Sequence, residues 1–255
     1  MKRNEASYRQ LVMDVLTDGV PVKGRNGDTI EIFGGTIKLD VSDNLIPVIT
    51  GRKMYPRGVI GEALAFMQTD CKHLSDFEER GCNYWKLWAD EDGNLNVDYP
   101  IHKHLYRIIK DIKENPTSRR HIINLWNQDN LEALSLPCCH YSYQFNIQGN
   151  KINMIWTQRS ADVMVGVPSD MILATIYLRI VAQETGYEAN EITMNFGSCH
   201  IYEEHIEGAY LYTSRKFHKI PILKISKKPF EELTQDDIQI IKYTSYPPIK
   251  FELKA

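Results

Sequence analysis

The sequence predicts a single α+β domain over residues 1–255. Segments of helical period and segments of strand period succeed one another in irregular order, which does not suit an alternating βαβ chain. No internal repeat, low-complexity tract or linker divides them, although 255 residues would also suit two small domains. With 43% apolar residues the chain can bury one substantial core.

Each element has a local reason. From Glu5 to Leu16, Tyr8, Leu11, Val12 and Val15 recur at helical spacing, and Asp18-Gly19 ends the run. Next, clusters of Gly and Asn bracket two β-rich runs, Thr29–Phe33 and Thr36–Val41. Gly61–Thr69 reads as a helix. Ile101–Glu114 is a second amphipathic one, with Leu105, Ile108, Ile109 and Ile112 on one face and Asn115-Pro116 as its stop. His121–Trp126 reads as a strand. Tyr141–Ile147 and Lys151–Trp156 flank Gln148-Gly149-Asn150, a hairpin signal. Ser169–Glu184 is apolar nearly all round, the mark of a buried helix. Tyr202–Arg215 closes the series as another helix.

Charge and cysteine usage narrow the function classes. The formal net charge is −3 and no long basic tract exists, so no nucleic-acid partner is required. No segment approaches the roughly 18 consecutive apolar residues of a membrane span. The first ten residues, MKRNEASYRQ, lack the apolar stretch of a signal peptide. Five cysteines with no CxxC pair fit free thiols in a reducing compartment, so a cytoplasmic location is expected.

Four short stretches carry chemistry. SLPCCHYSYQF (135–145) holds two adjacent thiols and His140; they are either small buried hydrophobes or include a nucleophile, since a thiolate is the strongest nucleophile among ordinary side chains. TSRRHII (117–123) sets Arg119 and Arg120 at the mouth of a strand, as a solvated pair or a phosphate clamp. Arg159, between an apolar strand and a buried helix, needs an anionic partner: Asp162 or a ligand phosphate. In FGSCHIYEEH (196–205), His200 and Tyr202 stand two apart and share a face if the backbone is extended.

LPCCHYSYQF, QRSADVMVGVP and GSCHIY together resemble the folate-dependent thymidylate synthase family, which also contains the pyrimidine-nucleotide hydroxymethylases. KGRNGD, GEALAFMQTD, NYWKLWAD, NPTSRR and PPIK extend the resemblance, in order, over nearly the whole chain. It implies that family's fold, a large mixed β-sheet packed with helices around a buried central helix. It also implies a homodimer that uses 5,10-methylenetetrahydrofolate and a pyrimidine nucleoside monophosphate, without a metal.

Residue by residue, the resemblance implies that Cys139 attacks C6 of the pyrimidine. Arg25, Arg159 and Ser160 bind the 5′-phosphate, and Arg119 and Arg120 reach it from the other subunit. Gln158, Asp162 and Asp170 belong to the substrate site. His200 and Tyr202 bind the 3′-hydroxyl. Glu62 organises water and proton transfer, with Tyr99 and His140 in the same network. Trp85, Trp88 and Asp162 contact the folate. Thiolate addition at C6 makes C5 nucleophilic toward the one-carbon electrophile. Cations at the phosphate are expected both to hold substrate and to lower the Cys139 pKa.

Asp170 departs from the Asn usual in thymidylate synthases. An amide matches uracil; a carboxylate accepts from the 4-amino group of cytosine, and a proton shared with N3 completes the pair. This resembles the aspartate of phage deoxycytidylate hydroxymethylases. The plain alternative is a helix N-cap. Cys138, Ser169 and Ser198 also depart from the residues Pro, Phe and Asp common in the family. The polar tail FELKA (251–255) is expected to seal the site less well and to favour water over hydride at the final step, giving a hydroxymethyl product. A cytosine methylase, an ordinary thymidylate synthase and a nucleotide- or RNA-binding regulator of the same fold are the other readings.

Overall fold

The computed structural model describes residues 3–254. Ala255, the last residue of the tail, lies outside the described residues. In chain order the elements are α1 (Glu5–Asp18), β1 (Val20–Gly24), β2 (Gly27–Asp40), α2 (Pro56–Gln68), α3 (Leu74–Glu78), α4 (Ile101–Glu114), β3 (Ile122–Asn124), β4 (His140–Gln148), β5 (Lys151–Asp162), α5 (Gly166–Thr185), β6 (Glu188–Tyr202), α6 (Ile206–Ser214), β7 (Ile222–Ile225) and β8 (Ile238–Ile241). Short 3₁₀ turns, including Tyr84–Trp88 and Glu203–His205, join them.

Six strands form one mixed sheet in the order β1-β2-β6-β5-β4-β3. All its pairs are antiparallel except β5 with β6. A parallel pair needs a long crossover, and α5 supplies it. Residues from Val167 to Ala182 of that helix are almost all buried, so the apolar run folds as a central helix, with α2 and α4 packed against it. The buried side chains form one continuous core. Strands β7 and β8 make a separate two-stranded ribbon. No helix among the described residues is long and apolar enough to cross a membrane.

Three differences from the sequence expectation matter for the site. The two β runs before residue 41 are one strand, β2, because Gly34-Gly35 continues the pairing instead of ending it. At Gly35 a Cβ would stand 2.8 Å from both Cys199 Sγ and Leu11 Cδ1, so only glycine lets α1 lie on the sheet there. Strand β5 does not stop at Trp156 but runs to Asp162, carrying Gln158, Arg159 and Ser160 in extended backbone. The stretch placed in a helix from Tyr202 is split: FGSCHIY is the end of β6, and α6 starts only at Ile206.

Candidate active site

The two adjacent cysteines receive opposite environments. Cys138 is buried, its thiol pushed up to about 12 by burial, and it serves as a small core residue. Cys139 is partly exposed. Its backbone N–H donates to the Tyr99 hydroxyl at 2.8 Å, which fixes the loop just before β4. Tyr99 is itself held between Phe66 and His140, at ring distances of 4.7 and 4.8 Å.

Arg159 lies across this loop. Its Nε and Nη2 donate to the carbonyls of Cys138 (3.0 Å) and Pro137 (2.8 Å), and Nη2 stands 3.8 Å from Cys139 Sγ. No carboxylate pairs with it among the described residues. Of the two partners open to Arg159 in the sequence, Asp162 is therefore eliminated: its Oδ1 accepts from the N–H groups of Met164 and Val165, at 2.9 and 3.0 Å. That turn leads the chain from β5 into α5, and is braced by Tyr8 Oη on Val163 O (2.8 Å) and by Arg52 on Met164 O.

The thiol is less acidic than the sequence suggested. Burial raises the Cys139 pKa; Arg159 pulls it back and Asp170 pushes it up again. Arg159 lowers it as expected of a cation, but desolvation outweighs that single guanidinium and the net shift is upward. The thiolate must be generated against this bias.

Asp170 is the fifth residue of α5, whose N-cap falls on Val165, so the N-cap alternative is corrected. Its Oδ2 accepts from Gln158 Nε2 at 2.9 Å. Burial pushes the carboxyl up to about 8, Gln158 opposes this, and Glu62 and Asp162 add to it. The group thus carries its proton at neutral pH.

Glu62 projects from α2 and accepts from Tyr84 Oη (2.6 Å) and Trp85 Nε1 (2.8 Å). Burial raises its pKa to about 7 although both hydrogen bonds lower it. The approach depends on Gly61, where a Cβ would stand 2.1 Å from the Arg80 carbonyl oxygen; without it the 80–85 segment could not lie on α2. Trp85 is only 4% exposed and stacks on Phe77 at 4.6 Å, so its polar edge serves Glu62 and little of its ring faces outward. Trp88 is half-buried beside it at 5.3 Å, next to exposed Leu87.

His140 is buried, its Nδ1 is 2.5 Å from the Tyr143 hydroxyl, and burial alone drives its pKa down to about 3. The imidazole is therefore uncharged at neutral pH, with one N–H and one acceptor nitrogen.

His200 and Tyr202 lie on β6 as extended neighbours on one face, with rings 5.4 Å apart. The turn between β1 and β2 that carries Arg25 lies beside this pair: a Cβ at Gly27 would stand 3.4 Å from the Tyr202 ring. Arg25 is exposed, and its Nε donates to Asn26 Oδ1. Ser160 pairs with Ser198 across β5 and β6. Arg119 and Arg120 are not gathered with these groups. They are exposed in the loop before β3, an edge strand, and make no ion pair among the described residues.

The tail lies against the same end of the molecule. Phe251 sits between Arg52 (5.1 Å) and His205 (5.1 Å), and Lys254 pairs with Glu204 at 2.5 Å.

The thymidylate synthase family model matches residues 6–255. A thymidylate synthase of Corynebacterium aurimucosum is 33% identical, over 98% of each chain. The solved structure of a thermostable thymidylate synthase A from Bacillus subtilis superposes with a TM-score of 0.91 over the whole of both chains, at 26% identity. The chain belongs to the thymidylate synthase family.

In a thymidylate synthase-family protein the coarse chemistry is folate-dependent one-carbon transfer to a pyrimidine nucleotide, and the groups described above suit it: one accessible thiol, one unpaired guanidinium beside it and two carboxyls that titrate near neutrality. Three contributors were missed from sequence. Tyr84 gave a signal, since it precedes the quoted Trp85, but nothing local shows that it turns toward Glu62. Trp156 stands two residues before Gln158 on one strand face, a spacing that makes their contact readable once β5 is extended. Arg52 gave none, because its partners are more than a hundred residues away.

Proposed function

We propose that this thymidylate synthase-family protein transfers a one-carbon unit from 5,10-methylenetetrahydrofolate to C5 of a cytidine monophosphate. dCMP is the favoured substrate and CMP fits the same edge. The product is the 5-hydroxymethyl nucleotide, formed through a covalent Cys139–C6 adduct. The observation that carries this reading is Asp170: a proton-bearing carboxyl, near enough to the nucleophile to act on its pKa, stands on the buried helix where an amide would suit uracil.

The roles proposed for the site residues are those that the family resemblance implies. Arg159 and Ser160, with Arg25 and a partner's Arg119 and Arg120, hold the phosphate. Guanidinium forks match its oxygens, and a dimer would bring the two exposed arginines across. His200 and Tyr202 take the 3′-hydroxyl. Asp170 gives its proton to N3 of cytosine and accepts from the 4-amino group. Protonating N3 draws electrons from C6, which makes C6 the better electrophile for Cys139. The Cys139 sulfur then bonds to C6, and the electron pair moves to C5. Methylenetetrahydrofolate supplies the one-carbon electrophile that C5 takes, against Trp88. Glu62, titrating near 7, takes up the C5 proton and returns it within one cycle. The bond from the one-carbon unit to the folate nitrogen then breaks, tetrahydrofolate leaving with the proton that Glu62 took from C5, and an exocyclic methylene is left at C5. Water, admitted by a tail that carries Glu252 and Lys254, adds to that methylene; the electron pair returned to the ring expels the Cys139 sulfur from C6, and N3 gives its proton back to Asp170.

A second reading, methylation of dUMP, is favoured by the names of the relatives and by the neutrality of Asp170, since a protonated carboxyl also shows one donor and one acceptor. The deciding experiment is tritium release from C5-labelled dCMP and dUMP with methylenetetrahydrofolate, while dihydrofolate absorbance is recorded. Release from dCMP without a rise is the expected result. Release from dUMP with a rise would replace the proposal by thymidylate synthesis.

A further inference from the structure

Asp170 is held in one orientation by a chain of buried donors. Trp156 is fully buried and Gln158 is 2% exposed. The Trp156 indole N–H donates to Gln158 Oε1 at 2.8 Å, and Gln158 Nε2 donates to Asp170 Oδ2 at 2.9 Å. An amide has two nearly equivalent orientations when nothing chooses between them. Here the choice is forced, because an indole N–H can only donate. The reversed amide would put two donors face to face and set its carbonyl against the Asp170 carboxyl. Trp156 cannot turn away, being packed against His140 at 4.6 Å, Tyr143 at 4.7 Å and Tyr177 at 5.9 Å.

We propose that Trp156 is the positioning residue for base discrimination: through the Gln158 amide it makes Asp170 Oδ2 the accepting oxygen and sends the carboxyl proton to Oδ1, so that the base meets a donor. The inference rests on the reading of Asp170 as the group that faces the base, and it adds why that group presents a proton rather than a lone pair. With the amide reversed, the Gln158 carbonyl would itself take the Asp170 proton. The oxygen left for the base would then be a pure acceptor. Such an edge loses N3 of cytosine and gains the N3–H of uracil. The residue that selects the base therefore includes one that never touches it.

Two variants test this. Trp156→Phe removes the N–H and some volume. Replacement of Trp156 by 3-benzothienylalanine keeps the bicyclic shape and removes only the N–H, so it decides the matter even if Trp156→Phe does not fold. For each protein kcat/KM is measured with dCMP and dUMP across pH. Loss of the N–H is expected to lower the dCMP-to-dUMP ratio about 10- to 100-fold, the size of effect that follows from a mispaired buried polar group. The alkaline limb of the dCMP profile should move to higher pH, because the reversed amide stabilises the protonated carboxyl. Cavity formation alone moves neither the ratio nor that limb. An isostere variant with an unchanged ratio and an unchanged limb would overturn the proposal. A wild-type protein that prefers dUMP overturns the cytosine reading instead. The relay then stands if the isostere still moves the alkaline limb with dUMP, and falls if it does not.

Discussion

Replacing Asp170 by Asn tests the base-reading site and the stability of the fold together. The carboxyl pKa is raised from 3.8 to about 8 in the native protein. A raised carboxyl contributes stability that is fully present below the unfolded pKa and is lost as pH rises through the folded value. Between pH 4 and 8 the native state holds one proton more than the unfolded chain, so stability falls by about 1.4 kcal/mol per pH unit from this group. At pH 7, about three units above the unfolded value, the accumulated cost reaches about 4 kcal/mol. That is an upper bound, since Asp170 keeps some exposure and water offsets part of its desolvation. Asp170→Asn removes the ionisable group. Urea melts at pH 5, 6, 7 and 8 should show the variant gaining on the wild type as pH rises, with the two converging toward pH 4. In the tritium-release assay the same variant should lose dCMP turnover by about 10⁴-fold and gain dUMP turnover, because the Gln158 N–H holds the amide oxygen and so fixes the amide in the orientation that mispairs with cytosine. An alkaline limb near pH 8 in the dCMP profile should vanish with the carboxyl. Retained dCMP turnover, or equal pH dependence of stability in the two proteins, would refute the assignment.

Two further substitutions probe the nucleophile and the proton carrier. Arg159→Ala removes the one guanidinium that lowers the Cys139 pKa, so the rising limb of kcat/KM should move to higher pH; KM for the nucleotide should increase about 10- to 100-fold, as for loss of a charge-assisted contact. An unmoved limb in steady-state kinetics would exclude Arg159 from thiol activation. Glu62→Gln keeps an acceptor for Trp85 Nε1 but cannot carry a proton, so tritium release should fall about 10²- to 10⁴-fold while nucleotide binding by calorimetry is preserved. Since the Glu62 pKa is raised to about 7, its contribution to stability is lost as pH rises through 7, and the Gln variant should melt later than the wild type at pH 8.

The sequence by itself determined much of the fold. Local periodicity is a property of neighbouring residues, so α4 was legible to the residue as Ile101–Glu114 and the β4–β5 hairpin from its Gln148-Gly149-Asn150 turn. The apolar run after Ser169 announced the buried helix, although its start lies three residues earlier, at Gly166. The motif around Cys139 and the stretch QRSAD marked the chemistry and the family. What the sequence left open was decided by partners distant along the chain. Which of two adjacent cysteines is accessible depends on how β4 enters the sheet. Whether Arg159 spends its charge on Asp162 depends on the turn that consumes that carboxylate. Both β runs join in one strand because β6 pairs with them on either side of Gly34, and Gly35 leaves room for α1 on the sheet. The proton balance of the site belongs wholly to tertiary structure. Glu62, His140 and Asp170 are ordinary titrating residues in an unfolded chain. Burial, which no local pattern encodes, moves two of them up to neutrality and takes the third far below it.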